Sequence, residues 1–106
     1  MNNLCVIEGD VIEVAPQTTK TGLRIVVVVL NVPRDRQGKV TADQIPCTFF
    51  AKGAERVEQY VKVGDFLTVS GRIGGSKNEK GYWRLDIAGR NWNKRQDAKP
   101  QEESAF

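Results

Sequence analysis

Apolar residues in this chain fall mainly into short stretches rich in Val, Ile and aromatic side chains, separated by clusters of Gly, Pro, Asn and charged residues. Short β-branched runs with a repeat near two mark strands rather than helices. Five such runs are visible, over residues 4–14, 23–32, 44–52, 66–73 and 82–92. Gly9 and Asp10 interrupt the first, where a bulge or bend would let a strand curl around a barrel. Residues 15–22 have turn composition, 33–39 read as a mobile polar loop, and 74–81 read as a long hairpin loop. The one helical pattern covers 53–62, where Ala54, Val57, Tyr60 and Val61 recur at offsets of three and four and Gly64 closes the segment. On the fifth run, alternation places Trp83, Leu85 and Ile87 on one face and Tyr82, Arg84, Asp86, Arg90 and Trp92 on the other.

Three strands, one helix and two strands is the order of the five-stranded oligonucleotide-binding barrel, an all-β fold with its short helix between strands three and four. Residues 1–93 form that domain in this reading. Residues 94–106, polar and without periodicity, form a short disordered tail. The run Ile25-Val26-Val27-Val28-Val29-Leu30 goes beyond alternation. It is either a strand covered on both sides within one chain or a subunit interface, and the second option predicts a homo-oligomer. Cys5 and Cys47 each lie inside an apolar run with no C-x-x-C or Cys/His cluster nearby, which reads as buried free thiols in a reducing compartment.

Composition narrows the function. The 106 residues include 16 Lys+Arg, 13 Asp+Glu and no histidine, so the commonest general base and metal ligand is missing. No P-loop, G-x-G-x-x-G, G-x-S-x-G or paired-carboxylate pattern is present, so the reading is a binding protein with no cofactor and no metal, not an enzyme. No basic leader precedes Leu4, and the longest apolar run is far too short to span a bilayer, which reads as a soluble, cytoplasmic chain. The net charge of +3 hides a polarised distribution: residues 1–19 carry three acidic and no basic side chains, whereas residues 20–93 carry 13 basic and 7 acidic ones. Single-stranded nucleic acid is held by a basic groove combined with aromatic faces on which bases stack. The basic candidates lie in the segments joining strands, Lys20 and Arg24 at the first, Arg34, Arg36 and Lys39 at the second, Lys77 and Lys80 at the last. Aromatics interleave at Phe49-Phe50-Ala51-Lys52 and Tyr82-Trp83-Arg84, and because neighbours on a strand face opposite ways, only one ring of each pair can be core.

Asn3-Leu4-Cys5-Val6-Ile7-Glu8-Gly9, Phe50-Ala51-Lys52-Gly53-Ala54-Glu55 and Val61-Lys62-Val63-Gly64-Asp65-Phe66 through Ser70-Gly71-Arg72-Ile73 resemble the bacterial and phage single-stranded DNA-binding proteins over about residues 3–92. That resemblance implies sequence-nonspecific binding of single-stranded DNA during replication, recombination and repair, by a homotetramer or dimer, in the cytoplasm or nucleoid of a bacterium or phage-infected host. It makes Phe50 the stacking phenylalanine and Lys52, Arg72 and Lys77 basic positions on the DNA path. Trp83 and Arg84 join Lys20, Arg24, Arg34, Arg36, Lys39 and Lys80 as further DNA-binding candidates. Where cellular relatives stack tryptophans this chain has Pro33, Gln44 and Asn78, which implies weaker stacking and a larger electrostatic share. The C-terminal Glu102-Glu103-Ser104-Ala105-Phe106 is similar to the family's acidic tip, which makes Glu102, Glu103 and Phe106 an anchor for replication and repair enzymes. The alternatives are a primosomal accessory barrel bridging single-stranded DNA and a helicase, and a structural or adaptor barrel that binds no DNA.

Overall fold

Five strands, β1 (Cys5–Thr18), β2 (Arg24–Arg36), β3 (Lys39–Phe50), β4 (Phe66–Lys77) and β5 (Trp83–Lys94), and one helix, α1 (Ala51–Tyr60), form the part of the chain that the computed structural model describes, residues 3–95. The strands close into a barrel in the order β1-β2-β3-β5-β4, with α1 between strands three and four as the element order predicts. Every neighbouring pair is antiparallel except β3 and β5, whose parallel contact consists of Cys47 opposite Ile87 and Thr48 opposite Ala88. Among the described residues no helix is long and apolar enough to cross a membrane.

Inward positions of β2 (Val26, Val28, Leu30), β3 (Cys47, Phe49) and β4 (Leu67, Val69) fill the interior, and Ala54 and Val57 of α1 complete it. In the Ile25–Leu30 run the inner set is fully buried, while Ile25, Val27 and Val29 stay half-buried on the outer side. Both thiols are free, but only Cys47 is buried; Cys5, expected to be buried as well, is half-exposed near the end of the β1–β4 ladder. Burial, with a smaller contribution from the Cys5 charge, pushes the Cys47 thiol up to about 11.

Several expectations about element limits are corrected. Residues 33–39 are not a mobile loop: β2 runs to Arg36, β3 begins at Lys39, and only Gln37 and Gly38 turn the chain. Both turn residues have positive φ, 54° and 81°, the geometry of a two-residue turn whose twist matches that of the strands it joins. This hairpin projects beyond the core, so its strands carry polar residues on both faces and look like a loop in sequence. β4 likewise continues through Gly74 and Gly75 to Lys77, and Lys52, placed on the third strand by its pattern, is in α1.

The first bulge is at Ile12, where the register with β2 shifts between Val11 and Glu13, rather than at Gly9-Asp10. Gly9 instead marks a close approach: a Cβ there would strike the Asn31 carbonyl. A second bulge makes Arg90 the extra residue of β5, since Ser70 faces Asn91 while Gly71 faces Gly89. One extra residue reverses which side chains point inward. Trp92 therefore does not share the face of Arg84; it packs half-buried against the core, with the Tyr60 ring 6.5 Å away.

Candidate nucleic-acid interface

Phe50 is the last residue of β3 and the one flanking residue with extended backbone before α1. Phe49 points inward and is 2% exposed, so alternation sends the Phe50 ring outward, where it is 46% exposed. Ala51 follows with φ 54°, an unusual left-handed conformation for a residue with a Cβ, and turns the chain into the helix. Around Phe50, the outer face of β2 and β3 presents the register pairs Ile25 with Phe50, Val27 with Thr48 and Val29 with Pro46. Further along that face stand Asn31 with Gln44 and Pro33 with Ala42, so Pro33 and Gln44 bring no aromatic ring to it.

The parallel contact between β3 and β5 sorts the twelve candidates by level. Phe50 lies three residues past Cys47, in the direction of both strands, and Lys52 follows it. Arg24, paired in register with Thr18, and Lys20, in the β1–β2 turn, belong to the same end of the barrel. Trp83 lies four residues before Ile87, at the opposite end, with Lys77 facing it across the β4–β5 hairpin and Arg84 beside it on the other face. Arg34, Arg36 and Lys39 are on the tip of the β2–β3 hairpin, which projects from that same end; nothing is described of the Arg36 side chain. Arg72, opposite Ala88, stands between the two ends. Phe50 and Trp83 are thus seven residues apart along the strand direction, about 23 Å at ~3.3 Å per residue.

The basic side chains differ in how free their charge is. Arg24 donates from Nε to Glu58 Oε1 at 2.6 Å, and Arg34 sits 3.4 Å from Asp43, so both already have a carboxylate. The Lys77 amine lies 5.4 Å from the centre of the Trp83 ring, a cation–π contact that leaves the other ring face open, Trp83 being 75% exposed. Lys80 is in a turn held by Asn78, whose Oδ1 accepts from the backbone N–H groups of Lys80 and Tyr82 at 2.9 Å each. Tyr82 and Leu85 are also exposed, so neither ring of Tyr82-Trp83 reaches the core: the hairpin carries both beyond it. Among the described residues, Lys20, Lys39, Lys52, Arg72, Lys80 and Arg84 have no carboxylate within ion-pair distance.

One feature escaped the sequence reading. A cleft of about 370 Å³ opens between the start of α1 and the far end of β5, lined by Phe49, Gly53, Arg56 and residues 90–94. Arg56 looks like an ordinary helix-surface charge in sequence, and Arg90 takes its place through a bulge that leaves no compositional mark. The expected tip residues Glu102, Glu103 and Phe106 lie outside the described residues. No group of three or more metal-ligating side chains occurs among the described residues.

The model of the single-strand binding protein family matches residues 1–99 of the chain. Curated proteins give no significant sequence match. Among solved structures, the chain is similar to the wild-type single-stranded DNA binding protein from Thermus aquaticus, with a TM-score of 0.75 and 15% sequence identity. The match covers 90% of this chain and 50% of that one, so this chain spans about half the length of that protein. At such identity the likeness is one of fold.

Proposed function

The chain belongs to the single-strand binding protein family, whose members are non-enzymatic DNA-binding proteins, and from that premise we propose that it coats single-stranded DNA without sequence preference wherever replication, recombination or repair exposes it. The observation that carries this reading is the outward Phe50 ring on the β2–β3 face, beside the uncompensated charge of Lys52. An exposed ring at a strand end gains nothing from water, whereas a stacked base contributes about 1–3 kcal/mol. Lys39, Lys77, Lys80, Arg72 and Arg84 add phosphate contacts along the path to Trp83.

The working form is a homo-oligomer, a tetramer or dimer. Leu4 and Val6 support this, standing 74% and 61% exposed on the outer side at the start of the chain. Two such side chains at the start of β1, one just before it and one on it, are an unusual cost for an isolated barrel. Glu102, Glu103 and Phe106 serve as a docking tip for replication and repair enzymes, the ring and terminal carboxylate for a pocket and the glutamates for a basic rim.

The deciding experiment is a titration of intrinsic Trp fluorescence with oligo-dT at several salt concentrations, beside a duplex of equal length. Saturable, salt-sensitive binding that favours the single strand is the expected result. No binding at low salt would leave an adaptor barrel as the better reading. Removing residues 104–106 is expected to leave DNA affinity unchanged or slightly raised while abolishing capture of partner enzymes.

A further inference from the structure

We propose that the cleft between α1 and the far end of β5 is a second phosphate-binding station, which takes the sugar-phosphate backbone of the strand whose base stacks on Phe50. The inference rests on the single-stranded DNA reading above and adds a site to it.

Position is the first argument. Cys47 and Ile87 pair across the parallel contact, and Phe50 and the bulge residue Arg90 each lie three residues past them, on β3 and β5. Phe49 and Gly53, which bracket Phe50 in the chain, both line the cleft. A strand leaving the Phe50 ring toward β5 therefore passes the mouth of the cleft.

Charge is the second argument. Three cations converge there, Arg56, Arg90 and Lys94. Lys94 is satisfied by Asp65 at 3.3 Å, whereas Arg56 and Arg90 have no hydrogen-bond or ion-pair partner among the described residues. Two unpaired guanidinium groups in one concavity repel each other, and an anion between them removes the repulsion. The planar fork of Arg suits phosphate oxygens.

The lining also decides which part of the nucleotide enters. Phe49 is 2% exposed, and the Trp92 ring is half-buried with Tyr60 beside it, so the cleft presents less aromatic surface to a base than Phe50 does. It offers charge and the polar groups of residues 91 and 93 instead. A volume of about 370 Å³ is at the small end of ligand clefts, suited to a sugar-phosphate unit.

The test is the double variant Arg56→Gln/Arg90→Gln, titrated with oligo-dT of about 16 nucleotides, the upper site size for one such barrel, between 50 and 200 mM salt. Each phosphate contact on a single strand contributes about 0.7 to the slope of log K against log salt. Loss of two contacts lowers the slope by about 1.4, so the variant loses about sevenfold less affinity than the unsubstituted protein over that range. Arg56→Lys/Arg90→Lys is expected to keep most of the slope. Both arginines are exposed and unpaired, and an unchanged thermal midpoint confirms an intact fold. Normal binding by the unsubstituted protein with an unchanged slope in the glutamine variant would overturn this inference alone. Tighter DNA binding by that variant would also overturn it, assigning the cleft to an acidic peptide that competes with DNA. Failure of the unsubstituted protein to bind would remove the single-stranded DNA reading and this inference together.

Discussion

Gly89 on β5 lies so close to the ring of Phe49 on β3 that a Cβ at position 89 would penetrate three of its carbons. This contact sits next to the two register pairs of the parallel β3–β5 ladder among the described residues, Cys47 with Ile87 and Thr48 with Ala88, and so helps hold the seam that closes the barrel. Phe49 cannot move aside without opening the core on its other side, where Val26 faces it across the sheet. Gly89→Ala is therefore expected to destabilise the protein by about 1–3 kcal/mol, the usual cost of overpacking. Urea unfolding measures it; an unchanged midpoint would contradict the tight seam.

Cys47 makes the interior sensitive to high pH. Its thiol stays protonated to about 11 in the folded chain, whereas in the unfolded chain it titrates near the ordinary thiol value of 9.0. Between these values the unfolded state binds fewer protons than the folded one, so stability falls as pH rises through that window and is fully present below about 9. The loss attributable to Cys47 is about 2–3 kcal/mol. Comparing urea midpoints at pH 8 and pH 11 for the unsubstituted chain and Cys47→Ala isolates it, with a flatter dependence expected in the variant. In the folded protein at pH 8, one thiol per chain, Cys5, is expected to react with a thiol reagent, and the second only after unfolding.

Two residues with side chains sit where glycine or asparagine would fit better. Gln37 and Ala51 both have φ 54°, the first in the β2–β3 turn and the second at the start of α1. Gln37→Asn makes the Asn-Gly pair that such turns prefer, and Ala51→Gly removes a Cβ from the left-handed region. Each is expected to raise stability by about 0.5–1 kcal/mol, read as a higher thermal midpoint. A lower midpoint for Ala51→Gly would mean that helix entropy outweighs the relief at the strand end.

The order of elements is legible because the buried run of β2 is continuously apolar and β-branched, those of β3 and β4 are apolar at alternate positions, and α1 has one apolar face. The separation of Phe49 from Phe50 was legible for the same reason. The hairpin arms were not, since Pro33–Lys39 and Gly74–Gly81 leave the core and lose the pattern on which strand recognition depends. Trp92 lies on the face opposite to the one simple alternation predicts, because the bulge at Arg90 reverses the count. Arg56 and Arg90 come from segments more than thirty residues apart, and their meeting depends on barrel closure, which no local pattern encodes.

The separation of Phe50 and Trp83 along the parallel β3–β5 direction sets a length requirement on the ligand. About 23 Å corresponds to about seven nucleotides at the ~3.4 Å spacing of a stacked strand. An oligo-dT of about 3 nucleotides can occupy only one ring at a time, so Phe50→Ala and Trp83→Ala each leave it an alternative site and change its affinity by at most about twofold. An oligomer of about 12 nucleotides, within the ~4–16 range of one barrel, can engage both rings. Each variant is then expected to lose about 1–3 kcal/mol, and the double variant close to the sum, because the rings are too far apart to couple directly. Thermal midpoints should stay near that of the unsubstituted chain, as both rings are exposed. The measurement is affinity against oligomer length for all four proteins. A gain between the short and long oligomers that persists in both single variants would show that the strand follows a path avoiding one of the rings.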